Sequence, residues 1–312
     1  MIIRPFATSD YESVAAISAL IDPDRGRDAE WFRARDASLF GDPKMRQLRL
    51  VAEVDGRVVG WGDMFTAWWA YHPRKFQLRL NVEPTHQVHG IGSALYTGLM
   101  ESGWDPLRIN AETRETRPSA MQFLSHRGFL EVARRWEAVL RVKEARFEPR
   151  HVETVRITSI GEERRRRGDE ALNRALFELE RVVYRDEPGY DPEGALQFDQ
   201  FVANELDPEV LVDDASFLAF DGDRLVAVSR IERDRSGPGR LHIGFTGTHP
   251  EVRGRGIAIA LKLRGLEYAR AHDVDEIRTT NDASNAAMLH INEKLGFTRL
   301  PAWVVFEKHF AA

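Results

Sequence analysis

Val252-Arg253-Gly254-Arg255-Gly256-Ile257-Ala258 follows a short apolar segment closed by His249-Pro250 and runs into Ile259-Ala260-Leu261-Lys262-Leu263, whose apolar positions have helical spacing. The stretch reads as a strand, a glycine-rich turn and a helix start. Such a turn lines up backbone N–H groups at the positive end of a helix dipole, where a phosphate or pyrophosphate binds without a cationic side chain. One Gly-x-Gly turn is a weak signal. Its weight comes from a second copy, Gln87-Val88-His89-Gly90-Ile91-Gly92, lying 166 positions earlier and again set between a strand-like segment and a helix.

Long repeats decide architecture, and other landmarks keep this register. Asp55-Gly56 falls on Asp221-Gly222, each read as a hairpin turn after an apolar strand. Gln87, Gly90 and Gly92 fall on Arg253, Gly256 and Ala258, and Gly128-Phe129 falls on Gly296-Phe297 at an offset of 168. The repeat predicts a duplicated α/β unit with a boundary near Phe147-Glu148-Pro149-Arg150, giving domains over residues 1–148 and 149–312. Length agrees, because 312 residues exceed the size, about 250–300, at which single cores stop growing.

Within the first half, strands are expected at 1–6, 47–54, 57–65, 76–82, 107–111 and 129–142, with helices near 11–21, 29–40, 92–104 and 119–127. The second half repeats the order. Strands are expected at 152–157, 216–220, 224–232, 240–248, 276–280 and 303–310, and helices over much of 162–184, 193–204, 257–271 and 285–295. Strands in a run that then alternate with helices predict an α/β fold whose mixed sheet carries helices on both faces.

The net charge of −5 and pI near 6.1 give no bulk attraction to nucleic acid or an anionic membrane. With no cysteine, disulfides, thiolate metal sites and a cysteine nucleophile are excluded. No two histidines have metal-ligand spacing, so no metal is expected. The N-terminus lacks a basic region followed by an apolar run, and no apolar window reaches membrane-spanning length. The expectation is a cytoplasmic monomer or homodimer. The run Arg164-Arg165-Arg166-Arg167 is flanked by acids and reads as a solvated helix face rather than a phosphate site. Trp68-Trp69 with Tyr71 read as packing, with an acceptor pocket or a domain seam as the alternatives.

The Arg-x-x-Gly-x-Ala of Arg253, Gly256 and Ala258 and the Gln-x-x-Gly-x-Gly of Gln87, Gly90 and Gly92 resemble the acyl-coenzyme A pyrophosphate loop of the Gcn5-related N-acetyltransferase (GNAT) superfamily. Asn281-Asp282-Ala283-Ser284-Asn285, ending in Lys294-Leu295-Gly296-Phe297, is similar to that family's downstream strand, helix and Gly-Phe element. The resemblance covers nearly the whole chain, twice, in the layout of double-GNAT proteins of the mycothiol synthase type. Rival glycine turns fit less well: neither copy has the Gly-Lys-Ser/Thr of a P-loop, and neither follows the first strand as a dinucleotide fingerprint would.

The resemblance implies two GNAT-fold acyl-CoA N-acyltransferase domains with acetyl-CoA as cosubstrate. It implies that Val252, Arg253, Gly254, Arg255, Gly256, Ile257 and Ala258 bind the pyrophosphate, and that Gln87, Val88, His89, Gly90, Ile91 and Gly92 form the corresponding first-half loop. Asn281 and Asn285 would reach the pantetheine arm or a bound water, although each position also suits helix capping. Relatives often carry an acidic tyrosine in the helix before Gly-Phe; the matching residues here are Asn292 and Leu124, so that acid is displaced or absent.

Acetyl transfer to an amine needs a base for the proton lost on attack and a polarised thioester carbonyl. Without cysteine, direct attack in a ternary complex is the natural route. Glu232 and His242 are the candidate catalytic residues, with Glu83 considered beside them. Because Arg117-Pro118 stands where the second half has Asn285, the second domain is expected to be catalytic and the first degraded or regulatory. The expected acceptor is the primary amine of a small molecule. A protein or peptide N-acetyltransferase and a non-catalytic acyl-CoA sensor are the alternatives.

Overall fold

The computed structural model describes residues 1–25, 27–67, 71–187, 197–234, 237 and 239–311. In chain order the elements are β1 (Ile2–Pro5), α1 (Tyr11–Ile21), α2 (Ala29–Phe40), β2 (Gln47–Val54), β3 (Arg57–Thr66), β4 (Lys75–Val82), α3 (Ile91–Met100), β5 (Arg108–Arg114), α4 (Pro118–Ser125) and β6 (Leu130–Arg141). They continue as β7 (Arg156–Ser159), α5 (Ile160–Arg167), α6 (Asp169–Val183), α7 (Phe198–Glu205), β8 (Phe217–Asp221), β9 (Arg224–Arg233), β10 (Arg240–Thr248), α8 (Ile257–Ala271), β11 (Glu276–Asp282), α9 (Ala286–Lys294), β12 (Thr298–Arg299) and β13 (Trp303–His309).

The chain forms two compact units. The first comprises residues 1–133, 235–237 and 303–312, and the second 134–234 and 238–302. Relative to a single cut at 148/149, two pieces change places. Residues 134–148 go with the second unit and residues 303–312 with the first.

Strand pairing gives the reason. β13 runs antiparallel to β5, from Trp303 opposite Arg114 to His309 opposite Arg108, and its Val304 and Phe306 enter the first unit's core. β6 runs antiparallel to β11, Arg141 opposite Glu276 and Arg135 opposite Asp282, and sends Ala138 and Leu140 into the second unit's core.

In the first unit β1, β2, β3 and β4 are antiparallel neighbours, and β4 is parallel to β5. One face of the sheet buries Leu50, Phe76, Leu78 and Ile109 against Leu95 and Leu99 of α3 and Leu124 of α4. The other face buries Val51 and Trp61 against Val14 and Ile17 of α1 and Phe32 of α2. A sheet covered on both sides explains why β2 buries four successive residues, Arg49 to Ala52, and not alternate ones.

The second unit repeats the plan. β7, β8, β9 and β10 are antiparallel, and β10 is parallel to β11. α8 and α9 cover one face, while α6 buries Leu172, Leu176, Leu179 and Val183 on the other, the i, i+4, i+7, i+11 stripe of an amphipathic helix.

Several expectations shift in detail. The helix expected through 162–184 is broken at Gly168, whose φ of 82° lets the chain leave α5 and restart as α6. The arginine run lies on α5 and is tied down locally. Arg166 and Arg167, with Arg156 of β7, donate to the buried carboxylate of Glu163, and Arg164 bonds Asp213 at 2.7 Å. The first hairpin turns on Asp55-Gly56 as expected; the second turns on Gly222-Asp223, one residue later. Trp68, Trp69 and residues 193–196 lie outside the described residues.

Candidate functional site

In the second unit, β10 ends in a 3-10 turn at Pro250–Val252, and the chain then runs extended through Arg253 into two left-handed glycines, Gly254 (φ 78°) and Gly256 (φ 79°). Gly256 is the N-cap of α8 and carries no side chain that could accept from the helix's first amides. Those N–H groups therefore face outward at the positive end of the helix dipole.

Buried Val252 and Ile257 anchor the loop from either end, and the Arg253 guanidinium is spent on the Thr248 carbonyl (3.0 Å) and Asp186 (2.7 Å). Arg255 is exposed and Ala258 half-buried on the first turn. What the loop offers a ligand is thus backbone, and the outward amides beside a Cβ-free surface fit a pyrophosphate.

Beyond the loop the sheet opens. β10 and β11 pair in parallel only from Arg240–Ile243 against Glu276–Thr279, yet β10 continues to Thr248 and β11 to Asp282. At the fork, the β9–β10 register slips between Ile243 and Phe245. Glu232 of β9, directly opposite His242, fills the place that a side chain at position 244 would need. A Cβ on Gly244 would lie 1.8 Å from Glu232 Oε1.

The carboxylate keeps about a quarter of its surface open, with His242 Nδ1 3.9 Å and Arg230 Nη1 3.7 Å away. Burial pushes its pKa above the ordinary carboxylate range, against the pull of Arg230 and His242. Sequence-predicted Glu232 and His242 therefore meet at the head of the fork.

Around them carboxyl groups outnumber basic ones. Buried Arg230 holds Glu180 through two bonds (3.0 and 3.1 Å) and takes Glu205 at 2.5 Å. Desolvation lifts Glu180 to about 8 and also raises Glu187. Four carboxyl groups thus share the neighbourhood of one guanidinium, a setting that favours an ammonium group.

The asparagines divide. Asn285 Oδ1 accepts from Met288 N (3.2 Å) and caps α9. Asn281 Oδ1 accepts from Asn292 Nδ2 at 2.6 Å, and Asn292 Oδ1 accepts from Lys262 Nζ at 2.7 Å. Lys262 is fully buried, and desolvation lowers its pKa to about 7. Sequence reasoning passed over this lysine. The available signal was its place four residues before Leu266 and seven before Ala269, on the buried stripe of α8.

The first unit copies the scaffold. Gln87 is extended, Val88 (φ 65°) and Gly90 (φ 83°) are left-handed, and Gly90 is the N-cap of α3. Val88 takes Gly254's place in an unfavourable conformation for a β-branched residue while wholly exposed. Gln87 Nε2 donates to Val82 O (2.9 Å), the His89 ring meets Gln87 O (2.6 Å), Ile91 is buried and Gly92 lies against Phe123.

β4 and β5 also fork, after Leu78 and Ala111. The chemistry is not copied. Thr66, at the register position of Glu232, spends its hydroxyl on Arg46 N (2.9 Å). Arg117 is held by Asp22 (2.5 Å) and the Ile21 carbonyl, and Leu124 is core. Glu83 fails as a base. Arg57 grips both its oxygens (2.9 and 2.8 Å) and holds its carboxyl below the ordinary range.

A forked parallel pair, a left-handed glycine loop and a helix N-terminus thus occur once in each half. The acetyltransferase (GNAT) family model matches residues 13–129 and again 173–297. The chain belongs to this acetyltransferase family. Each half carries one GNAT domain.

Among curated proteins, mycothiol acetyltransferase of Thermobispora bispora is 37% identical over 62 residues, 20% of this chain and 21% of that protein. That of Gordonia bronchialis is 34% identical over 97 residues, 30% of this chain and 29% of that protein. The aligned stretches thus span less than a third of these relatives.

Two solved structures share the GNAT fold over nearly the full length of both chains. A tandem GNAT protein from the clavulanic acid biosynthesis pathway superposes with a TM-score of 0.76 at 19% identity, over 100% of this chain and 99% of its own. A GCN5-related N-acetyltransferase from Sphaerobacter thermophilus gives 0.70 at 20%, over 99% and 95%. Among the described residues no group of side chains has the make-up of a metal site, and no helix is long and apolar enough to cross a membrane.

Proposed function

We propose that the second unit transfers acetyl from acetyl-CoA to the primary amine of a small molecule, by direct attack in a ternary complex in the cytoplasm. The observation that carries this reading is the Glu232 carboxylate seated in the Gly244 bulge, at the head of the β10–β11 fork. Acetyl-CoA supplies the activated acyl group.

The amides of residues 254–258 hold its pyrophosphate, and the fork receives the pantetheine arm beside Asn281. The surplus of carboxyl groups around Arg230 draws in an ammonium ion. Glu232 takes its proton, leaving the nitrogen lone pair free to attack the thioester carbonyl. The C–S bond breaks as the amide forms, and coenzyme A leaves as the thiolate, with the second amine proton passing to it through water. His242, 3.9 Å from Glu232, favours the ionised carboxylate that accepts the first proton. The first unit, which has threonine in Glu232's place, binds rather than catalyses. The relatives' name, mycothiol acetyltransferase, favours a small-molecule acceptor over a protein.

The test is release of free thiol from acetyl-CoA across a panel of polyamines, aminoglycosides, amino sugars, amino acids and peptides. Release with a small amine is expected. Coenzyme A binding without release for any acceptor would leave a sensor, and release with peptides alone would move the acceptor to proteins.

Replacing Gly256 by Glu tests the loop. A side chain there takes up a left-handed conformation costing about 1–2 kcal/mol. Its Cβ also meets the Arg150 guanidinium, 2.5 Å away, and its carboxylate occupies the anion's place. Calorimetry should show the affinity of the second unit for coenzyme A falling roughly tenfold or more. Unchanged affinity and stoichiometry would remove the loop from the site.

A further inference from the structure

The helix-covered face opposite α3 in the first unit is electrostatically the reverse of its counterpart in the second. Arg79 of β4 is the first residue past the last β4–β5 pair, so it stands where that fork opens. Phe76 and Leu78 point into the core beneath α3, so Arg79, by strand alternation, points to the α1–α2 face. Its guanidinium lies 4.7 Å from the Phe65 ring centre, and that of Arg35 from α2 lies 4.6 Å from the same ring.

The Nη1 atoms of both arginines are buried without a hydrogen-bond acceptor. Arg79 has no ion pair among the described residues, and Arg35 only distant ones, 3.6 Å to Asp36 and 3.9 Å to Asp63. Those two acids are committed to Arg49, which binds Asp36 at 2.7 and 3.1 Å and Asp63 at 3.2 Å. One acceptor, Asp63 Oδ1, is left over. Arg27 lies over Trp31 at 4.9 Å, and Arg25 pairs with Glu112 at 3.3 Å.

Among the described residues the guanidiniums of 25, 27, 35, 49 and 79 gather on this face beside the carboxylates of 36, 63 and 112, and the Nη1 atoms of Arg35 and Arg79 are left without an acceptor. Burial and mutual repulsion bring Arg79 down to about 9 and depress Arg27 and Arg35. Buried donors in excess of their acceptors are costly in isolation and are satisfied by an anion with several lone pairs.

We infer that this face of the first unit binds the carboxylate or phosphate group of a small molecule, held by Arg79, Arg35 and Arg27 at the open end of the β4–β5 fork. Arginine suits the task, because its planar fork matches either oxyanion and it stacks on the Phe65 and Trp31 rings. The site does not depend on the acetyl transfer assigned to the second unit. That unit's corresponding face carries the carboxyl groups of Glu180, Glu205 and Glu232 instead.

The experiment is thermal unfolding of the full chain in inorganic phosphate and, separately, in succinate, each against sodium chloride at equal ionic strength. An anion that binds only the folded state raises the midpoint as its concentration rises. A saturable rise is expected in wild type with one of the two, and the responding anion identifies the oxyanion. In R79Q, calorimetric affinity for that anion should fall at least tenfold, and the midpoint in chloride should stay level or rise, since an uncompensated buried charge is gone. R35Q provides the same test should R79Q not fold.

Gly90→Glu, which blocks the nearby glycine loop, should leave the anion effect unchanged. No saturable rise with either anion, or a rise that persists undiminished in R79Q and R35Q, would overturn the inference. A rise abolished by Gly90→Glu but not by R79Q would move the anion to the helix N-terminus and equally defeat it.

Discussion

Replacing Glu232 by glutamine should lower kcat/KM for amine acetylation by about 100- to 1,000-fold, a loss of roughly 3–4 kcal/mol of transition-state stabilisation. The substitution keeps the shape that fills the Gly244 bulge and removes the carboxylate's charge together with its ability to accept a proton. Because burial raises the Glu232 pKa, the wild-type acid limb of kcat/KM lies above the ordinary carboxylate range, and the mutant should lose that limb.

Stability separates this outcome from simple misfolding. A carboxyl group whose folded pKa is raised favours folding below its unfolded pKa, and loses that contribution as pH climbs through the folded value. At neutral pH the ionised group is therefore a burden, and E232Q should melt no lower than wild type. Arg230 keeps its closer partners, Glu180 and Glu205. Pre-steady-state and pH-rate measurements read the effect. A mutant with unchanged kcat/KM and an intact acid limb would place the proton acceptor elsewhere.

The glycine loops were legible in the sequence because their geometry is set by backbone conformation, and backbone conformation is what glycine encodes. Gly254, Gly256 and Gly90 all stand at positive φ. Val88 shows the limit of the rule, since a β-branched residue holds the same conformation with no glycine to announce it.

Glu232 was legible as a carboxylate on a central strand, but its setting was not, because that depends on the missing side chain of Gly244 on the adjacent strand. Glu83 looked equivalent by the same criterion and is quenched by Arg57, 26 residues away across a hairpin. The exchange of closing strands was hidden for a related reason. β6 and β13 follow equivalent Gly-Phe elements in a repeated pattern, and periodicity does not say which of two like sheets a strand will join. Lys262 was missed because a single lysine in a helix is read as solvent-facing unless the buried stripe is traced through it.

That lysine gives the second large prediction. Among the described residues its Nζ has one hydrogen-bond partner, Asn292, and burial alone brings its pKa from 10.5 to about 7. At about 1.4 kcal/mol per pKa unit, keeping the ammonium buried costs on the order of 5 kcal/mol at pH values below 7. The sign follows from proton counting. Between pH 7 and 10.5 the unfolded chain keeps the lysine proton and the folded chain has released it, so stability rises with pH through that window and the full penalty stands below it.

Methionine fits the stem of the side chain and carries no charge. It leaves Asn292 Oδ1 without its donor, at about 1–3 kcal/mol. K262M should therefore be more stable than wild type by a few kcal/mol at pH 6, with the advantage shrinking or reversing by pH 10. Every other titrating group is common to both proteins and cancels in the difference. Urea unfolding at pH 6, 8 and 10 measures that difference. Parallel stability curves for wild type and K262M would show that Lys262 stays charged in the folded unit, and that the Lys262–Asn292–Asn281 chain is a buried ion's solvation shell.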